Sequence, residues 1–245
     1  MRRRALHPNA GGATRNAAVY TLMSAILHHA GVEIKLRRPK GAEGRVVTDW
    51  LRPEDADAII IAAREIDEEF GTLLLALLYT GLRIGEVLDR WRWEDLNLDE
   101  GAAWTRREKG GVESDAKLRT ELVATFRALR PLGRQGRVFR FHQGGHLKHL
   151  LTRAKLAALG LPCPIRRPVG WQPPDHRLAW VNFHTFRHTF ATWMRRAGAD
   201  VQGLVATGNW RDLRSASRYA HAVTSEEWNR VEQLPAVGNI RGVQS

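Results

Sequence analysis

The sequence predicts a mainly α-helical protein with a small antiparallel β-sheet, an α+β fold. Three observations lead to this prediction. Ten segments between residues 14 and 233 are predicted to be helices. Two short segments of strand-forming residues flank Lys109-Gly-Gly, which is typical of a hairpin connection. The Pro- and Gly-containing stretch at 37–45 predicts a linker between a short first part and a larger second part.

The first half of the chain predicts four helices. Apolar side chains at helical spacing predict a helix at 14–30. Pro53, followed by acidic residues, starts a second helix that ends near residue 66, because proline suits the first turn and acids suit the positive end of the helix dipole. The apolar segment 72–79 predicts a buried helix, and a helix resumes at 83–90 after Thr80-Gly81.

The second half of the chain predicts the sheet and the remaining helices. Strands are expected at 102–107 and 116–120. The helices expected after them are at 122–129, 147–159, 183–197, 201–207, 213–220 and 226–233.

Charge and composition indicate a polyanionic partner. The chain has 38 Lys+Arg against 26 Asp+Glu, a net charge of +12 and a pI of about 10.9. The expected partner is nucleic acid first and an anionic membrane surface second. The alternative is a soluble protein that is basic without having a polyanionic partner. The longest apolar run, 73–79, is far shorter than the roughly 18–20 residues of a membrane span. No apolar segment follows the basic start, so no secretory signal is predicted.

The single cysteine, Cys163, excludes an intrachain disulfide and a multi-cysteine metal site. This composition favours a reducing, cytoplasmic location. His184 and His188 stand at i and i+4 on a predicted helix, a spacing that suits metal binding. A hydrolytic zinc site of this kind carries Glu after the first His, where this chain has Thr185, and no third ligand is evident. A packed core histidine is therefore favoured over a metal ligand.

Arginine and tyrosine side chains offer another chemistry. His184 and Arg187 share one helical face, and a guanidinium fork suits two oxygens of a phosphate. Arg83 lies in an otherwise apolar segment, so either Glu86 pairs with it or it lines a polar cleft, and both can hold at once. Tyr219 follows a polar, basic stretch and is either a packing residue or a nucleophile near the two arginines.

Three segments together resemble the catalytic domain of the tyrosine recombinase (phage integrase) family. They are TGLRIGEVL at 80–88, FHTFRHTFATWMRRAGADV at 183–201 and GNWRDLRSASRYAHA at 208–222. The order of Arg83, the HxxR pair His184 and Arg187, Trp210 and Tyr219, and the intervals between them, match the family pattern. The resemblance covers about residues 46–225.

The resemblance implies a role for each matching residue in DNA strand cleavage and rejoining. Tyr219 would attack a DNA phosphate and form a covalent 3′-phosphotyrosine, while Arg83 and Arg187 would bind the non-bridging oxygens. Trp210 would donate its indole N–H to a phosphate oxygen, and His184 would assist proton transfer.

A lysine on the hairpin would protonate the leaving oxygen. Lys109 is the better match, and Lys117 is the alternative because segment 107–119 departs from the usual hairpin pattern. Two arginines in place of a metal imply that neither a metal nor another cofactor is needed.

The resemblance also implies domains and partners. Residues 1–45 would be a shortened remnant of the helical core-binding domain with its basic linker, 46–225 the catalytic domain, and 226–245 a C-terminal helix and tail. The partner would be double-stranded DNA in the nucleoid, with a homotetramer on DNA and a monomer free in solution. The alternative is a truncated relic that binds DNA without recombining it, and a histidine-metal hydrolase is the third hypothesis.

Overall fold

The computed structural model describes residues 11–34, 36, 49–105, 114–129 and 135–223, and the chain divides into two units, 1–47 and 48–245. In the first unit, helical residues follow one another from α1 (Gly12–Arg15) through a π-helical turn (Asn16–Tyr20) to α2 (Thr21–His29). The helix predicted at 14–30 is therefore present. Its apolar side chains are exposed at Val19, Leu22, Met23 and Ile26.

The second unit contains the sheet and the longer helices. Its α-helices, among the described residues, are α3 (Pro53–Ile66), α4 (Glu68–Thr80), α5 (Thr120–Leu129), α6 (Gly145–Ala157), α7 (Phe183–Arg196), α8 (Val201–Ala206) and α9 (Leu213–Ala216). A π-helical turn covers Glu86–Arg90, and 3₁₀ turns cover Trp93–Asp95 and Ser217–Val223.

The sheet is small and antiparallel. Its strands are β1 (Leu96–Asn97), β2 (Ala102–Thr105) and β3 (Ser114–Lys117), in the order β1-β2-β3. Ala103 pairs with Leu96 on one side and with Ala116 on the other, and all three side chains are buried. The sheet therefore presents one apolar face to the core.

Helix α4 lies at the centre of the core. Asp67 caps its start by accepting a hydrogen bond from the backbone N–H of Phe70 at 3.0 Å. Its apolar side chains, including the fully buried Leu73, Leu74 and Leu77, pack among α3, α5 and α7. A helix that is apolar on every face is stable only when it is surrounded in this way.

Two hydrogen bonds join α7 to Leu51, which lies in the segment before α3. The backbone N–H of Leu51 donates to Thr189 Oγ1 at 2.9 Å, and the indole N–H of Trp193 donates to the carbonyl of Leu51 at 3.2 Å. A second, smaller apolar cluster lies on α7 and the segments after it, and consists of Ala191, Leu204, Trp210, Ala216 and Tyr219. This cluster contains two of the residues expected to carry chemistry.

The structure confirms the predicted α+β class and corrects one strand. The strand expected at 116–120 lies at Ser114–Lys117, because Leu118 donates its N–H to the carbonyl of Gly101 at 2.8 Å and Thr120 begins α5. The helix expected at 226–233 lies outside the described residues. Among the helices that are described, none is both long and apolar enough to cross a membrane.

Candidate active site

The N-terminus of α7 is fixed by reciprocal hydrogen bonds. The Asn182 side chain accepts from the backbone N–H groups of His184 at 2.8 Å and Thr185 at 3.3 Å. Thr185 Oγ1 in turn accepts from the backbone N–H of Asn182 at 3.0 Å. This capping box fixes the start of α7, on which His184 lies in the first turn and Arg187 three residues later.

Lys155 anchors the segment that leads into this cap. It is 7% exposed, and its ammonium donates to the carbonyls of Ala179 at 3.1 Å and Val181 at 2.9 Å. Burial lowers the pKa of Lys155 from its ordinary value. Lys155, on α6, thus fixes the position of the segment that directly precedes α7.

Arg187 connects the three segments that carry the family pattern. It is 3% exposed, and its guanidinium donates to the carbonyl of Gly81 at 2.6 Å and to the carbonyl of Asn209 at 2.5 Å. The guanidinium carbon also lies 4.5 Å from the centroid of the Trp210 ring, a cation–π contact. One buried cation therefore holds the end of α4 and the segment at 209–210 against α7.

Gly81 has a conformation that few other residues adopt. It ends α4 with φ of 66°, in the left-handed region. A Cβ at this position would overlap the ring of Phe190. The amide of Asn209 donates to the neighbouring carbonyl of Thr80 at 2.8 Å, so this turn is bound from two sides.

Arg83 is oriented by Glu86 and faces a cleft. The Glu86 carboxylate is fully buried and accepts from Arg83 Nη1 at 3.0 Å and from the backbone N–H of Arg83 at 2.9 Å. The Arg83 side chain nonetheless remains 41% exposed. It lines a cleft of about 190 Å³ together with Gln143, Phe183 and His184. Both interpretations of Arg83 therefore hold: Glu86 pairs with it, and it lines a polar cleft.

Trp210 and Tyr219 pack together beneath Arg187. The Trp210 ring stacks on Phe190 with 8° between the planes, and its centroid lies 5.5 Å from that of Tyr219. Tyr219, in the 3₁₀ turn after α9, is only 2% exposed. Burial raises the pKa of the Tyr219 phenol, an effect opposed by the positive charges of Arg187 and Arg218 and by a hydrogen bond from Trp210.

The two histidines of α7 occupy different surroundings. His184 is exposed in the cleft, and its ring centroid lies 4.6 Å from that of the buried His188. Nδ1 of His188 lies 2.6 Å from the phenol oxygen of Tyr219. Desolvation first, and then nearby positive charges, lower the pKa of both rings, that of His188 to about 4.

His188 is the residue that sequence reasoning missed at this site. Its i, i+4 spacing from His184 suggested only a metal ligand or a packed core residue. No sequence interval links it to Tyr219, because the contact forms only when the 3₁₀ turn folds back onto α7. In the described part of the chain, no group of three or more His, Cys, Asp or Glu side chains is placed to hold a metal ion.

Of the two candidate lysines, the structure describes only Lys117, and it does not place that residue at this cluster. Lys109 lies outside the described residues, between β2 and β3 in sequence. Lys117 is exposed at the end of β3, and its ammonium donates to the carbonyl of Glu100 at 3.0 Å. The five other predicted site residues do come together: Arg83, His184, Arg187, Trp210 and Tyr219.

Comparison with known proteins places this fold and cluster in one family. Residues 49–226 match the model of the phage integrase family, which is most of the chain. The protein belongs to the phage integrase family.

Individual relatives agree with this assignment. The integrase of Salmonella phage P22 is 25% identical over 217 residues, which are 83% of this chain and 50% of the relative. The chain therefore spans about half the length of this curated relative.

Solved structures share the fold. The catalytic domain of bacteriophage HP1 integrase has a TM-score of 0.53 at 20% identity, over 76% of this chain and 95% of that one. The Tn1549 transposon integrase, solved in complex with transposon right end DNA, has a TM-score of 0.65 at 16% identity, over 92% of this chain and 80% of that one.

Proposed function

We propose that this protein performs site-specific DNA recombination, cutting and rejoining double-stranded DNA through a covalent 3′-phosphotyrosine at Tyr219. One observation carries the proposal: the Tyr219 ring packs on Trp210 and lies within the field of Arg187, next to the cleft that Arg83 and His184 line. Membership of the phage integrase family supports it.

The proposed roles follow from charge and position. Phosphoryl transfer depends on placing the reactants and on neutralising charge that develops on the phosphate oxygens. Arg83, exposed in the cleft, binds a non-bridging oxygen directly, while Arg187 supplies a second positive charge and holds the site together. Trp210 positions the tyrosine, and His184 contacts the phosphate side of the cleft.

The leaving oxygen requires a proton, because an alkoxide is a poor leaving group. We assign this proton to Lys109, with Lys117 as the alternative. The phosphotyrosine bond conserves the energy of the broken strand, so rejoining requires no nucleotide. No metal is assigned to the chemistry, since the arginines provide the positive charge that a metal would supply.

Double-stranded DNA is the proposed partner. The Tn1549 integrase is solved with transposon DNA, and a λ integrase dimer is solved bound to a core site. The net charge of +12 suits a phosphate backbone. We extend the proposal to a monomer in free solution, a homotetramer on DNA and a location at the nucleoid. Residues 1–45 would serve as part of a core-binding region with its basic linker, 46–225 as the catalytic domain and 226–245 as a C-terminal helix and tail.

Covalent trapping tests the nucleophile. The substrate is a library of nicked duplexes with randomised sequence. Cleavage near the nick releases a short fragment, so the strand cannot be rejoined and the covalent adducts accumulate. The trapped DNA can then be isolated and sequenced. Tyr219→Phe should abolish adducts and leave DNA affinity nearly intact, because loss of one buried hydroxyl removes the nucleophile but few contacts to DNA. The experiment should succeed in excess EDTA.

The sequence offers complete controls, because the chain has only three tyrosines. Tyr20→Phe and Tyr79→Phe should both form adducts at the unsubstituted rate. Adducts from Tyr219→Phe would assign the nucleophile elsewhere. DNA binding without adducts from the unsubstituted protein would favour the non-recombining relic, and adducts that require a divalent ion would contradict the metal-free mechanism.

A further inference from the structure

The buried hydrogen bond between His188 and Tyr219 has no role in the mechanism described so far. His188 lies one helical turn after His184 on α7 and is 6% exposed. Its Nδ1 is 2.6 Å from the phenol oxygen, a short distance for an N···O hydrogen bond. Both partners are buried, so water does not compete for either group.

The protonation states of the two groups favour one direction for this hydrogen bond. Burial raises the pKa of the Tyr219 phenol, so the phenol keeps its O–H at neutral pH. Nδ1 of His188 is in place to accept this O–H. With a pKa of about 4, the His188 ring is neutral at neutral pH and has a lone pair for this purpose.

We propose that His188 is the catalytic base that accepts the phenol proton of Tyr219 during DNA cleavage, a step that rests on the proposed function. As the phenol oxygen bonds to phosphorus, its O–H bond breaks and the proton moves to Nδ1. The bond from phosphorus to the 5′ oxygen breaks, and the general acid protonates that oxygen. In rejoining, the imidazolium returns the proton to the phenol oxygen as the phosphotyrosine bond breaks.

The charges around His188 make its basicity depend on whether DNA is bound. The charged and titratable groups that act on His188 are His184, Arg187, Arg218 and Tyr219. The two arginines disfavour a proton on His188 while the cleft holds no anion. A bound phosphate would offset their charge and so raise the basicity of His188. Proton transfer is then favoured only when a phosphate is in place to be attacked.

His184 has a different position. Its side chain is exposed beside Arg83 in the cleft, whereas the hydrogen bond to the nucleophile comes from His188. We therefore divide proton transfer and phosphate contact between the two rings, with His188 on the tyrosine side and His184 on the phosphate side.

Substitution by asparagine tests the base. The Asn amide oxygen lies close to the position of Nδ1 and accepts a hydrogen bond, but it does not take a proton at neutral pH. His188→Asn should slow adduct formation by about 100-fold or more, while DNA affinity stays within twofold. His146→Asn, at an exposed histidine, should cleave at the unsubstituted rate.

Rescue separates a base from a merely structural residue. A polyfluorinated tyrosine at position 219, whose phenol ionises near neutral pH, needs no base. In His188→Asn, this tyrosine should restore adduct formation to the rate that it gives in the protein that keeps His188. A fully active His188→Asn, or a slow one that the fluorinated tyrosine does not rescue, would overturn the proposal.

Nitrogen-15 NMR of the unsubstituted protein provides a test that does not depend on DNA or on a variant. At neutral pH, His188 should carry its proton on Nε2 and none on Nδ1. A proton on Nδ1 would make His188 the donor and would overturn its role as base. Absence of adducts from the unsubstituted protein would instead reject the recombinase proposal, and the role of His188 with it.

Discussion

Arg83 and Arg187 differ in what they contribute to the site. Arg83 is partly exposed, is oriented by a fully buried Glu86 and reaches the cleft. Arg187 is nearly buried and donates two hydrogen bonds to backbone carbonyls, so much of its contribution is to structure. The planar fork of arginine makes both contacts at once, which the single ammonium of lysine cannot reproduce in the same geometry.

At the same residue scale, the lowered pKa values of the site histidines make the fold sensitive to acid. The pKa of His188 is about 4 in the folded protein and ordinarily 6.5, so the unfolded chain takes up a proton first as pH falls. The free energy of unfolding should therefore decrease from pH 6.5 down to about 4 and be restored as pH rises again. Urea denaturation across this range measures the slope.

The contribution of His188 to that slope can be isolated. His188→Asn should show a shallower loss of stability with acid, because asparagine does not titrate. His146→Asn, at an exposed position, should keep the slope of the unsubstituted protein. An unchanged slope in His188→Asn would show that another group is responsible, with His184 and His176 the next candidates because their pKa values are also lowered.

The general acid is a further prediction at this scale. Lys109→Ala should slow cleavage about 100-fold or more, and Lys117→Ala much less, because the Lys117 ammonium is engaged with the carbonyl of Glu100. A substrate with sulfur at the 5′ bridging position should rescue Lys109→Ala, since a thiolate leaves without a proton. Rescue of Lys117→Ala instead would assign the acid to Lys117.

At the scale of elements, the end of α4 determines where Arg187 is held. Gly81 has a positive φ, offers its carbonyl to Arg187 and packs under Phe190. Gly160 has nearly the same φ, 68° against 66°, but a Cβ there would meet no atom within 4 Å. The two glycines are therefore a matched pair that separates backbone strain from packing.

Alanine at these two positions should have unequal effects. Gly160→Ala should cost about 1 kcal/mol of stability through its strained φ. Gly81→Ala should cost roughly 1–3 kcal/mol more, because the added methyl overlaps the Phe190 ring. Thermal denaturation of both variants checks this. Equal losses would mean that Phe190 moves aside without cost.

Particular elements show how far sequence reasoning extended. Helix α3 was predicted with its observed limits, because Pro53 and the acids after it are strong local signals. The strand at 116–120 was placed too late, because the pairing of β3 with β2 depends on long-range packing that local composition does not encode. For the site, the order of the motifs identified Tyr219 and both arginines. His188 could not be identified in this way, because its contact with Tyr219 forms only when the 3₁₀ turn docks on α7.

At the scale of the whole molecule, charge is distributed unevenly. Residues 1–45 have nine Lys/Arg against two acids, whereas 46–80 have two against eight. Non-specific attraction to DNA would then come from the basic residues of segment 1–45. The acidic segment 46–80, which includes α3 and the start of α4, would not contribute to it.

The salt dependence of DNA binding should reveal the basic start of the chain. Replacing Arg2, Arg3 and Arg4 by Gln should lower the slope of log affinity against log salt by about 0.9 for each arginine that contacts a phosphate. Lysine at the same positions should preserve the slope. Gel-shift titrations with a non-specific duplex measure it, and an unchanged slope for the Gln variant would exclude these arginines from phosphate contact.

The hydrogen bond from Arg187 to Gly81 joins residues 106 positions apart, and that from Asn209 to Thr80 joins residues 129 apart. During translation, Arg83 leaves the ribosome early, the HxxR helix much later and Tyr219 after both. A polypeptide interrupted before residue 219 would therefore carry cations that attract DNA but would lack the proposed nucleophile. Under the proposed function, unfinished copies of the chain could bind DNA without cutting it.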